Sequence, residues 1–259
     1  MKTIGILFLS ALLLASCGET AQPVKADPQP VLSGDFKEET QEIETEKKPA
    51  SLNHFLLHQG DTLVCVDQFN KHIWWELKYA TADNFMRRVL YDTLDKVYVQ
   101  IDVARRLAKS QEYLTGRNPD YHLLVYDGLR PLSVQWEMWN ALDTIPPLER
   151  GKFVSNPRNG SVHNYGAAVD LTICNAQKVP LDMGAGYDDI RKIAYPSLES
   201  GFLASGELTR EQLDHRKLLR RALKSQGFSN IPTEWWHFNA FPRPVVKQKY
   251  RIVTRELTE

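Results

Sequence analysis

Residues 161–173 read Ser161-Val162-His163-Asn164-Tyr165-Gly166-Ala167-Ala168-Val169-Asp170-Leu171-Thr172-Ile173. The first half is a Gly-bearing loop with a His in it. The second half, from Ala167 to Ile173, is an apolar and β-branched run of strand length with one carboxylate, Asp170, inside it. Working outward, His122 to Tyr126 reads as another strand, ending at Asp127-Gly128, and Leu63 to Val66 as a short one. A last strand is predicted over Thr233 to Asn239.

Helical periodicity lies between these strands. Val99, Val103 and Leu107, with Ala104 and Ala108 beside them, make an apolar stripe that stops near Gly116. Pro131 opens a helix through Trp136 and Trp139, because its fixed φ suits the first turn. Thr209-Arg210-Glu211-Gln212 is a capping box heading a helix through Leu213, Leu219 and Leu223, ended by Gly227. Strands and helices do not alternate regularly and no repeat is present. The pattern predicts an α+β fold, with a mainly antiparallel sheet and flanking helices, over a doubly wound one.

Composition bounds the partners. The 259 residues carry 32 Lys+Arg against 32 Asp+Glu, a net charge of zero, and 42% are hydrophobic. No basic excess or basic-aromatic run offers a footprint for nucleic acid, which is excluded as a partner. With 3 Cys the chain is no disulfide scaffold, and 14 Gly and 14 Pro do not make a fibrous chain.

The N-terminus has its own logic. Lys2 precedes an apolar run from Ile4 to Leu14 that is too short to span a bilayer comfortably and ends in Leu14-Ala15-Ser16-Cys17. A positive start, a short apolar run and small residues before a cut describe a secretory signal peptide at 1–16. Leu-Ala-Ser-Cys resembles the lipobox of bacterial lipoproteins, which implies acylation of Cys17, each buried methylene adding ~0.8 kcal/mol of membrane affinity. Residues 17–51 are rich in Pro, Glu, Lys, Thr and Gln, with Phe36 their only aromatic. Such a segment cannot bury enough apolar area to offset its ordering entropy and reads as a disordered tether. The expectation is a domain at 52–259 lipid-anchored to a membrane of the cell envelope, facing the periplasm or exterior. Cys65 and Cys174 remain in that domain, and export permits a disulfide only if they are near each other.

The chemistry-bearing residues concentrate at His163 and Asp170 and again at Glu234-Trp235-Trp236-His237. Two His and a carboxylate match a catalytic zinc site, in which three protein ligands leave the fourth position to water. His163, Asp170 and His237 are the expected ligands of one zinc ion. Glu234 is the expected base, taking the water proton and passing it to the leaving amine. Three apart on a regular strand, Glu234 and His237 would face opposite sides, so their cooperation requires a bulge, turn or strong twist at Trp235-Trp236. Arg130, at a strand-to-helix junction, suits oxyanion stabilisation, a role worth roughly 3–4 kcal/mol per donor in other enzymes. His54, His58, His72, His122 and His215 read as structural or surface residues, and Trp74, Trp75, Trp136 and Trp139 as core.

The spacing resembles that of a known family. Ser-x-His-x-x-Gly-x-Ala-x-Asp at 161–170, Glu-Trp-Trp-His at 234–237 and Asp-Gly-x-Arg-Pro at 127–131 are similar to the motifs of the D-alanyl-D-alanine dipeptidases, the VanX-like branch of the zinc D,D-peptidases. Tyr79-Ala80-Thr81-Ala82-Asp83-Asn84-Phe85, Met183-Gly184-Ala185-Gly186-Tyr187-Asp188 and the stretch 216–228 extend the likeness. The resemblance implies a single-domain fold of the Hedgehog/D,D-peptidase type, zinc on His163, Asp170 and His237, Glu234 as base and acid, and Arg130 as transition-state stabiliser. It further implies that Asp188 holds the free ammonium of a small dipeptide substrate, with Ser161 helping to position it. The implied activity is zinc-dependent hydrolysis of D-Ala-D-Ala or a close free dipeptide in cell-wall peptide metabolism. The competing readings are a D,D-carboxypeptidase or endopeptidase acting on peptidoglycan stems, and a non-catalytic cell-envelope binding module. Leu129, where an aromatic is common in the family, and the residue added by Leu181-Asp182 are departures that bear on pocket preference. Oligomeric state is left open.

Overall fold

The computed structural model describes residues 54–57 and 61–256. The signal peptide expected at 1–16, Cys17, the tether at 17–51 and His58 lie outside the described residues. Among those residues, His54–Leu57 (β1), Asp61–Cys65 (β2) and Tyr98–Gln100 (β4) form one antiparallel sheet in the order β1-β2-β4. A second sheet runs Ile73–Trp75 (β3), His122–Asp127 (β5), Ala168–Cys174 (β6), His237–Asn239 (β8) and Ser229–Asn230 (β7), in that spatial order. β3 pairs parallel to β5 at one edge, and the other pairings are antiparallel. The helices are Ile101–Thr115 (α1), Leu132–Ala141 (α2), Pro147–Arg150 (α3), Glu199–Ser205 (α4), Arg210–Lys224 (α5) and Arg243–Lys249 (α6). The architecture is the expected α+β fold with mainly antiparallel sheets and flanking helices.

Every residue of β5 and β6 is buried, which is why both strands read as nearly continuous apolar runs. α1 and α5 pack on one another, α1 also against β5 and α5 against β6. Each helix brings a stripe at 3.6-residue spacing: Val103, Ala104, Leu107 and Leu114 on α1, and Leu213, Leu219, Ala222 and Leu223 on α5. Burying one such Leu or Val side chain contributes about 1.5–3 kcal/mol. Gln111, one of two buried polar residues on α1, bonds through both ends of its amide. Its Nε2 donates to Tyr121 O and Thr115 Oγ1, each at 2.9 Å, and its Oε1 accepts from Leu123 N at 2.7 Å, tying α1 to the start of β5.

The capping box at Thr209 is formed: its hydroxyl accepts from Gln212 N and Gln212 Oε1 accepts from Thr209 N. Several boundaries differ from the sequence reading. Val99 belongs to β4, where it pairs with Val64, and α1 starts at Ile101 with Gln100 as its cap. A β-branched residue at a helix threshold goes to the strand when a cross-strand partner is there. β2 ends at Cys65, and Val66 opens a 3-10 turn. Pro131 is the cap of α2 and not its first residue. Of the strand predicted at 233–239 only His237–Asn239 is extended, and Thr233 to Trp236 turn. Cys65 and Cys174 are buried free thiols in different sheets, so the permitted disulfide is not formed. No helix among the described residues is long and apolar enough to cross a membrane.

Candidate active site

A bulge between Val125 and Asp127 shifts the β5–β6 register so that Asp127 lies opposite Asp170, and Asp170 lies opposite His237 on β8. Residues directly opposite across antiparallel strands share one face of the sheet, so this register alone lines up three chemistry-bearing side chains. His163 arrives from the 3-10 turn Val162–Tyr165, whose cap is Ser161. Ser161 Oγ accepts from His163 N at 3.4 Å and Asn164 Oδ1 accepts from Ser161 N at 2.6 Å. The turn ends at Gly166 with φ +62°, where a Cβ would come within 2.7 Å of Leu63. Only Gly combines that left-handed backbone with that approach.

Hydrogen bonds set which ring nitrogens face inward. His163 Nδ1–H donates to Gly128 O at 2.7 Å, and His237 Nε2–H donates to Asn239 Oδ1 at 3.0 Å. The lone pairs of His163 Nε2 and His237 Nδ1 are thereby directed at each other, 3.1 Å apart. Asp170 Oδ1 completes the triangle, 2.9 Å from His237 Nδ1 and 3.3 Å from His163 Nε2. Three acceptors converge with no proton donor among them, which is unfavourable unless a cation sits between them. Ligand bonds of about 2.0–2.2 Å in a tetrahedron put donor atoms roughly 3.3–3.6 Å apart. The triangle is within a few tenths of an ångström of that requirement, so the three residues fit a metal ion. Second partners on both imidazoles, a carbonyl and an amide oxygen, are what orienting a metal ligand requires.

Arg130 is buried beside this triangle. Its Nε and Nη2 donate to Asp127 Oδ2 at 2.9 and 2.6 Å, and Nη2 reaches Asp170 Oδ2 at 3.4 Å. Asp127 is fully enclosed and also accepts from Tyr91 Oη at 2.6 Å and Gly128 N at 2.9 Å. Burial works against the guanidinium charge, but Asp127 together with Tyr79, Tyr91 and Tyr187 outweighs it and holds the Arg130 pKa well above its ordinary value. The guanidinium lies over the Tyr79 ring, 4.9 Å from its centroid. Tyr187 Oη donates to Asp170 Oδ2 at 3.2 Å.

Glu234 sits on the turn before β8 with its carboxylate 4.0 Å from His237 Nδ1. The turn at Thr233 to Trp236 resolves the strand-facing problem, because Glu234 is not in the strand that carries His237. It also lets Trp235 and Trp236 both bury, their rings at 90°. Cleft walls that withdraw Glu234 from water raise its pKa, against the opposing pull of His237. Asp188 faces the same space at φ +59° and accepts from Tyr79 Oη at 3.2 Å. Burial, then the nearby Asp170 charge, push the Asp188 carboxyl well above its ordinary range.

Arg130, Ser161, His163, Asp170, Asp188, Glu234 and His237 all line one cleft of 450 Å³. Every site residue named from the sequence within the described residues is therefore brought to one place. Four supporting groups carry no role in the sequence reading: Asp127, Asn239 and the hydroxyls of Tyr79 and Tyr187. Asn239 had a signal, being two residues after His237 and so on the same strand face. Asp127 had one too, since it stands three residues before an Arg that needs a counter-ion. The tyrosines had none in periodicity. His122 stacks on Trp74, and half-buried His215 Nδ1–H donates to Asp182 O, so neither is part of the cluster. Trp139 is core as expected, whereas Trp74, Trp75 and Trp136 are half-buried.

Comparison with known proteins gives the family. The Peptidase M15 family model, described as D-ala-D-ala dipeptidase, matches residues 59–255. The D-alanyl-D-alanine dipeptidase of Escherichia coli K12 is 32% identical over 165 residues, covering 63% of this chain and 76% of that protein. The D-alanyl-D-alanine dipeptidases of Enterococcus faecalis V583 and Enterococcus faecium are each 27% identical, covering 69% and 67% of this chain and 91% and 88% of theirs. With the family model spanning three quarters of its length and the metal triangle, buried Arg and adjacent carboxylate standing in one cleft, the chain belongs to the M15 peptidase family of D-Ala-D-Ala dipeptidases.

Proposed function

We propose that the cleft hydrolyses free D-alanyl-D-alanine, or a close dipeptide, with one zinc ion held by His163, Asp170 and His237. The observation that carries this is the triangle of three inward-facing acceptor atoms, with the Glu234 carboxylate 4.0 Å from one corner. A zinc ion there supplies Lewis acidity, bringing the deprotonation of water toward neutral pH and polarising a carbonyl. Glu234 takes the proton of the attacking water and returns it to the departing amine, a double task that its raised pKa suits. The Arg130 guanidinium, fixed by Asp127, faces the negative charge that develops on the carbonyl oxygen. Ser161 lines the cleft beside His163 and helps to position the substrate.

Asp188 gives the site its length preference. A half-buried carboxylate to which no basic side chain among the described residues is bonded is the complement of a free ammonium group. A longer peptide brings a neutral amide to that position and leaves Asp188 without a cationic partner. The names of the relatives support D-Ala-D-Ala as the dipeptide. Leu14-Ala15-Ser16-Cys17 supports a further reading: residues 1–16 are a signal peptide, Cys17 carries lipid, and the tether at 17–51 holds the peptidase domain at 52–259 on the outside of a membrane of the cell envelope.

The test is an assay of purified, zinc-loaded protein on D-Ala-D-Ala, N-acetyl-D-Ala-D-Ala, L-Ala-L-Ala and a stem pentapeptide. Free D-Ala-D-Ala should lead the acetylated dipeptide by roughly ten- to hundredfold in kcat/KM, the loss of one charge-assisted contact. Equal kcat/KM on the stem pentapeptide would replace this reading with the carboxypeptidase one.

A further inference from the structure

We infer that Arg216 on α5 is a positioning residue for the ammonium end of the substrate, acting by gripping both ends of the segment that carries Asp188. The inference rests on the reading of Asp188 as the ammonium partner.

Residues 182–191 contain no helix or strand, yet they carry Tyr187, which donates to the metal-site carboxylate Asp170, and Asp188, at φ +59°. A non-glycine residue holds a left-handed conformation only where its surroundings impose it. The anchor is one guanidinium. Arg216, 1% exposed, donates from Nε to Met183 O at 2.6 Å and from Nη1 to Ile193 O at 3.0 Å. These carbonyls stand before and after Asp188, so a single rigid fork closes the segment into a strap. Glu199 backs the fork, accepting from Arg216 Nη1 at 3.5 Å and from Arg220 Nη1 and Nη2 at 2.8 and 2.6 Å.

The same helix face fastens the first end again. Gln212 Nε2 donates to Asp182 Oδ2 and His215 Nδ1–H donates to Asp182 O, both at 2.8 Å. Gln212, His215 and Arg216 are neighbours at helical spacing. Gly184, at φ +72°, lies so flat on this face that a Cβ would collide with Leu208 and Gln212. Between its fixed ends the strap offers Asp188 to Tyr79 Oη and Tyr187 to Asp170. Arg216 touches neither substrate nor metal ligand. A residue serving stability alone would affect all substrates equally, whereas a positioning residue for Asp188 affects free dipeptides and spares blocked ones.

Arg216→Lys keeps the charge and loses the fork, since one ammonium cannot satisfy two carbonyls and a carboxylate with the same planarity. In the full-length zinc-loaded enzyme, R216K should raise KM for D-Ala-D-Ala about tenfold while kcat stays within about threefold, the split expected for lost binding. The free-to-acetylated ratio of kcat/KM should fall about tenfold from its wild-type value, with zinc content unchanged. Should R216K not fold by circular dichroism, Gln212→Ala at a half-buried position removes the Asp182 contact along with the α5 capping bond, and should move the ratio in the same direction by a smaller factor. A folded R216K, or Q212A in its place, with the wild-type ratio and KM overturns the role of Arg216 and leaves the reading of Asp188 intact. A wild-type enzyme with no preference for the free dipeptide overturns both.

Discussion

Asp170 of β6 and His237 of β8 stand directly opposite each other in register, with Asp170 Oδ1 2.9 Å from His237 Nδ1. A slip of one residue in that pairing would send one of the two to the other face of the sheet and dissolve the site. The metal triangle is therefore a property of the strand register, and only His163 depends on a loop.

The first prediction follows from the count of ligands. His163→Ala or His237→Ala should lose bound zinc together with activity, because a three-residue site has no spare donor and metal binding is coupled to folding. Metal analysis of the purified variants checks it, and full zinc occupancy in either would remove that residue from the site.

The second concerns Asp127, which accepts from Tyr91, Gly128 and Arg130 inside the protein. Asp127→Ala leaves the buried Arg130 charge without its partner, a change that typically costs 3–5 kcal/mol. For a chain of this size that corresponds to a Tm lower by roughly 6–20 °C. Thermal melting reads it, and an unchanged Tm would mean that Arg130 is neutralised by another group.

A third concerns the thiols. Burial, with a contribution from Asp67, pushes Cys65 up to about 12, and burial pushes Cys174 up to about 11. Both should resist iodoacetamide at pH 8 in the native protein and react once it is denatured, as mass spectrometry of their peptides would show. The folded state keeps these protons above the pH at which unfolded thiols, with pKa about 8.5, release theirs. Their contribution to stability is thus complete below that pH and is lost as pH rises through the folded values. Native-state alkylation at the denatured rate would contradict the burial.

A fourth tests the envelope reading. Cys17→Ser should shift active enzyme from the membrane fraction to the soluble one or leave an unprocessed precursor, because acylation needs the thiol. Unchanged membrane attachment of the processed variant would show that something other than lipid holds it.

Much of the site was legible in the sequence because its residues fall inside short motifs. His163 and Asp170 lie in one loop-strand unit, and Glu234 and His237 stand three apart. The turn that lets Glu234 and His237 cooperate was demanded by strand geometry before its form was visible. The remainder depends on contacts between distant parts of the chain. Val99 was assigned to the α1 stripe because its strand partner, Val64, is far away in sequence. The parallel pairing of β3 with β5 leaves no periodicity of its own. Asp127 read as the start of a turn, since nothing local shows that Tyr91 and Arg130 converge on it. Arg216 entered only as the first residue of the family-like stretch 216–228, and its grip on Met183 and Ile193 exists only in three dimensions.

The central claim is that Glu234 moves the proton while His163, Asp170 and His237 hold the metal. Glu234→Gln replaces the carboxylate with an amide that can neither accept the water proton nor deliver it to the amine. The direct measurement is zinc content and kcat on D-Ala-D-Ala in that variant, side by side with the wild type. The account predicts full zinc occupancy, KM within a few fold, and a kcat lower by about 10²–10⁴, the usual contribution of a general base. A folded Glu234→Gln enzyme that turned over within a few fold of the wild type, or that lost its zinc, would contradict it.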